Sequence, residues 1–74
     1  MNTITVQFGG QKEARQYPAG STIGTVLHDQ DLKAVMGFSD NVRALVGGVE
    51  QPNAAQLSDG MSIFVEMRAN SKAN

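Results

Sequence analysis

The chain has 74 residues, a formal net charge of −1, no cysteine and only 5% aromatic residues. A chain this short makes one domain and buries only about 60–65% of the surface its unfolded form exposes, so its core must be single. The missing cysteine excludes disulfides and thiolate metal sites, the scattered charges supply no basic stripe for phosphates, and the apolar runs are too short to span a membrane. Neither nucleic acid nor a membrane is therefore an expected partner.

From the N-terminus, Thr3 to Phe8 alternate, with Ile4, Val6 and Phe8 on one side and Thr3, Thr5 and Gln7 on the other, as in a half-buried strand. This start has no basic region ahead of an apolar stretch and does not read as a signal peptide, so a cytoplasmic protein is expected. Gly9-Gly10 supplies a hairpin turn, and Lys12 to Tyr17 returns as an edge strand whose charges discourage aggregation. After Pro18-Ala19-Gly20, Ser21 is placed to cap a helix, and Ile23, Val26 and Leu27 form its apolar stripe. The stripe breaks at His28-Asp29-Gln30-Asp31, and Leu32, Val35 and Met36 resume out of phase. That break predicts either a kink or a second short helix capped by Asp29 or Asp31, ended by Gly37, with Phe38 folding back onto the core.

Ser39-Asp40-Asn41 is a turn, and Val42 to Val46 is a third strand with Val42, Ala44 and Val46 on one face and Arg43 and Leu45 on the other. Gly47-Gly48 turns into a short strand, Val49 to Gln51, which Pro52 confines to an edge. Leu57 anchors the next loop and Ser58-Asp59-Gly60 turns into the last strand. There Met61, Ile63, Val65 and Met67 face in, and Ser62, Phe64, Glu66 and Arg68 face out. The expected core is Ile4, Val6, Tyr17, Ile23, Val26, Leu27, Val42, Ala44, Val46, Leu57, Ile63 and Val65. Residues 70–74 are read as a flexible polar tail beyond a domain of residues 1–69.

No catalytic, metal or cofactor site is expected. His28 is the only histidine, and Asp29 and Asp31 beside it would point in different directions on a helix, a poor cage; a solvated helix end is the better account. Gly9-Gly10 and Gly47-Gly48 lead from strand to strand, whereas a phosphate loop leads from a strand into a helix. Met36 and Met61 fit the core pattern, and Met67 lies at a strand end.

Three stretches resemble ubiquitin-like β-grasp proteins. TITVQFGGQKEARQYPAGSTIGTVL resembles their opening hairpin and helix start, above all in aromatic-Pro-x-Gly-Ser-Thr-Ile. NVRALVGGVEQP resembles the strand and turn before the short edge strand. LSDGMSIFVEM resembles the closing L-x-D-G-D-x-I strand of the sulfur carriers of thiamine and molybdopterin synthesis and of TGS domains, with Met61 in place of the second Asp. The resemblance implies an α+β, β-grasp (ubiquitin-like) fold: a mixed four- or five-stranded sheet packed on one helix, with first and last strands parallel neighbours. It does not carry over the carrier chemistry, because carriers end in Gly-Gly, whereas here the Gly-Gly pairs are internal and the sequence closes on Ala73-Asn74.

Alternation puts Leu45 and Phe64 on the solvent side of the sheet. The resemblance implies that their strands are adjacent, with Thr5 and Arg43 flanking the pair and Arg43, Glu66 and Arg68 rimming it. It also implies that this face is a recognition patch, with Leu45 at its apolar centre. The expected function is that of a non-catalytic ubiquitin-like module binding a protein partner through this face. The alternatives are a structural or decoration subunit of a larger assembly such as a phage virion, and a diverged sulfur carrier.

Overall fold

The computed structural model describes residues 1–68, so the expected tail at 70–74 lies outside the described residues. Five strands and two helices run in the order β1 (Asn2–Phe8), β2 (Gln11–Tyr17), α1 (Ile23–Leu27), α2 (Gln30–Met36), β3 (Val42–Val46), β4 (Val49–Gln51) and β5 (Ser62–Met67). The strands form one sheet in the order β2-β1-β5-β3-β4. β1 and β5 run parallel at its centre, with Val6 beside Ile63, and the other neighbours are antiparallel. This is the mixed sheet of the β-grasp fold.

The sheet is half apolar because its strands alternate. Ile4 and Val6 of β1, Ile63 and Val65 of β5, and Val42 and Ala44 of β3 are all buried on one face. Ile23, Val26 and Leu27 of α1 and Leu32 and Met36 of α2 cover them, with Tyr17, Phe38 and Leu57 closing the margins. Every expected core residue is buried except Val46. It is only half-buried because it lies opposite Val49, on the edge strand and largely exposed. Leu32, Met36 and Phe38 join the core, while Val35, from the same apolar set as Leu32, is exposed. Met67 ends β5 and is 56% exposed, so inward alternation stops short of it.

The helix start differs from the expectation. The cap is Thr22, not Ser21: its hydroxyl accepts from the Thr25 amide while the Thr25 hydroxyl accepts from the Thr22 amide. Ser21 is drawn into extended pairing, its carbonyl accepting from the Leu57 amide at 2.9 Å. The next amides, of Ile23 and Gly24, donate to the carbonyls of Ala55 and Asn53 at 2.8 and 2.9 Å. A crossing loop thus satisfies donors that a helix start normally leaves to side chains or water. The phase break resolves as a second helix. Asp29 caps it by accepting from the amides of Asp31 and Leu32, and Gly37 ends it in the left-handed region at φ 85°.

Gly47 and Gly48 carry φ values of 61° and 84°, the positive pair that a two-residue type I′ hairpin requires. A Cβ at Gly48 would meet nothing within 4 Å, so only backbone strain opposes substitution. Gly48→Ala is therefore expected to destabilise the domain by about 1–2 kcal/mol, and Gly48→Asn by less, since asparagine tolerates this region better. Urea midpoints of the two variants check this; equal midpoints for Ala and Asn would contradict it.

Candidate functional site

The outward face of the sheet is built by the residues that alternate with the core. One row crosses all five strands in register: Lys12 of β2, Gln7 of β1, Phe64 of β5, Leu45 of β3 and Glu50 of β4. Leu45 and Phe64 are direct cross-strand partners, as expected. Phe64 is 47% exposed and Leu45 is half-buried beside it. With Gly48 and Glu66 they line an open hollow of about 260 Å³.

Arg43 lies opposite Glu66 and bonds it at 2.9 Å, and it also reaches Glu50 at 3.6 Å. Arg68 bonds the same Glu50 at 2.8 Å. Glu66, Arg43, Glu50 and Arg68 therefore form a continuous alternating chain of charge, of which Glu66 lines the hollow. The Glu66 carboxylate holds the Arg43 guanidinium more firmly charged, and the Arg68 hydrogen bond holds the Glu50 carboxyl below its ordinary range. Such exposed pairs add little stability individually.

Thr5 is the expected flanking residue that falls furthest from the pair. It stands beside Ser62, one pleat along, and Gln7 is the β1 residue beside Phe64. Alternation gave both the correct face. The parallel register, set where the Thr5 amide donates to the Met61 carbonyl at 2.9 Å, decides which of them meets Phe64. Glu50 was not expected at the rim, although its place one residue after Val49 put it on this face.

His28, Asp29 and Asp31 do not converge. The His28 ring uses Nδ1 against the Gly24 carbonyl at 2.9 Å, at the end of its own helix. Asp31 pairs with Arg15 of β2 at 2.8 Å, and Asp29 accepts from the Tyr17 hydroxyl at 2.7 Å. The cluster thus fastens α2 to the edge strand β2. Burial pulls the Asp29 carboxyl upward, but the Tyr17 hydroxyl and the amides of Leu32 and Asp31 outweigh it, so Asp29 ionises below its ordinary 3.8. Burial, and then the bond to Asp29, push the Tyr17 phenol well above its ordinary 10.0. A depressed carboxyl stabilises the fold above its ordinary value and loses that contribution as pH falls through its folded value. Asp29→Asn keeps a capping oxygen and removes the charge. Wild type is therefore expected to be more stable than Asp29→Asn at neutral pH, with the gap closing as pH falls below 3.8. Thermal melts of both across an acid series test this; a gap constant with pH would contradict it.

Among the described residues, no group of three or more His, Cys, Asp or Glu side chains could hold a metal ion, and no helix is long and apolar enough to cross a membrane.

No protein-family model and no curated protein matches the chain significantly. Solved structures do share its fold. Caldiarchaeum subterraneum ubiquitin superposes with a TM-score of 0.71 at 17% identity, over 92% of this chain and 94% of that one. A Pyrococcus furiosus protein described as a molybdopterin converting factor subunit 1 gives 0.73 at 15% identity, over 93% of this chain and all of that one. ATBAG1, solved in complex with HSP70, gives 0.78 at 11% identity over 99% of this chain, which spans 44% of that one. At these identities the likeness is one of fold, and the fold is the ubiquitin-like β-grasp.

Proposed function

We propose that this chain is a non-catalytic protein-interaction module that binds its partner through the outward face of the sheet. The observation that carries the reading is the Leu45–Phe64 pair: an aromatic and an aliphatic side chain side by side over an open hollow, next to charged residues that pair with one another. An apolar centre within a polar rim is the usual anatomy of a binding surface.

The test is capture from the native cell with wild-type chain and with a Leu45→Ala/Phe64→Ser variant. A partner held by the first and lost by the second supports the proposal, and one held equally by both refutes it. Recovery in fixed, high copy within one particle would instead favour a structural or decoration subunit of a larger assembly such as a phage virion.

A further inference from the structure

The binding face is electrically lopsided. On the β3–β4 side, Glu66, Arg43, Glu50 and Arg68 are bonded to one another and their charges sum to zero. On the β1–β2 side the face is neutral, with Thr3, Thr5, Gln7, Ala14 and Gln16, until it reaches Lys12. Lys12 is exposed and forms no ion pair among the described residues, unlike Arg15, which faces the helices and holds Asp31. It stands in the same row as Phe64, with only Gln7 between them. Two strand spacings separate the ammonium-bearing strand from the apolar centre, roughly 10 Å.

Resting on the reading of this face as a binding surface, we propose that its occupant is a peptide segment with an apolar anchor and an acidic flank. The anchor, aliphatic or aromatic, covers Leu45 and Phe64, and a carboxylate lying toward β2 meets Lys12. The charge pattern supplies the direction. A partner's basic group would find the two glutamates of the rim already matched and Lys12 repelling it. A carboxylate finds in Lys12 a cation with no internal partner to displace. An ion pair at the margin of an apolar contact adds modest affinity but sets orientation and salt dependence.

Peptides displayed at random on phage, selected on the full chain, give the probe. Enriched sequences should carry a large apolar residue with Asp or Glu a few positions away. Calorimetry on one such peptide should show binding lost with Phe64→Ser. Lys12→Gln should weaken it roughly three- to fivefold and flatten its salt dependence, and Lys12→Glu should weaken it further. Peptides that need Phe64 but show no acidic preference and ignore Lys12→Gln would overturn the acidic flank and leave the sheet face standing. Peptides indifferent to Phe64→Ser would overturn the face itself, and no enrichment at all would overturn a peptide as its occupant.

Discussion

Ile63→Ala is expected to remove much of the stability of this domain. Ile63 lies on β5, fully buried, in register with buried Val6 on the neighbouring parallel strand. With strands on both sides and helices above, the site cannot collapse to refill the lost volume. Truncations of this kind cost about 2–5 kcal/mol, from lost transfer free energy and from the cavity left behind. A domain of this size has only about 4–10 kcal/mol in total. Ile63→Val keeps most of the volume and should cost about 0.5–1.5 kcal/mol. Urea unfolding of the three proteins checks the order, and an Ala variant no worse than the Val variant would show that the core tolerates a gap at its centre.

The next residue along the strand should behave in the opposite way. Leu45→Ala with Phe64→Ser is expected to leave the domain folded and to abolish or greatly weaken its association. Phe64 is 47% exposed in the free chain, so truncating it forfeits only part of the stabilisation a buried phenyl gives, about 1 kcal/mol. A partner covering both side chains would bury what remains exposed, and losing that contact should raise Kd by roughly thirty- to a thousandfold, equivalent to about 2–4 kcal/mol. Titration of the captured partner measures the loss of association, and circular dichroism melts show whether the fold survives. A double variant that unfolds would place these residues in the core. One that binds with unchanged affinity would move the interface to the helices or to the edges at Lys12–Gln16 and Val49–Gln51.

The contrast between Ile63 and Phe64 was legible in the sequence because strand alternation is a local property. So were the strand bounds at β3 and β4, where Gly47-Gly48 and Pro52 leave the backbone few choices. The break after Leu27 was visible as a phase slip, and Asp29 as one of two candidate caps for α2. What local pattern does not carry is offset between distant segments. Thr22 caps α1 from a position fixed by its bridge to Gln56, more than thirty residues away, with the Ser21 carbonyl accepting from the Leu57 amide beside it. Gln7 rather than Thr5 meets Phe64 because the parallel register is fixed across the whole chain. The Arg43–Glu50–Arg68 linkage likewise appears only once β4 folds back beside β3. Arg43, Glu66 and Arg68 were readable as a rim, but not as a rim already neutralised from within.

The sheet order has a bearing on how the protein is made. The last strand to be synthesised is the middle one, with β1 and β2 on one side and β3 and β4 on the other. Until β5 arrives, the two hairpins have no common neighbour, and their apolar faces lack the strand that joins them. Sequence-distant contacts of this kind are slow to form, because the intervening chain must be closed before they reward it. The five-stranded sheet is therefore complete only once β5 lies between the two hairpins. A chain cut short before Ile63 would lack both the strand that joins the two hairpins and the buried Ile63 and Val65.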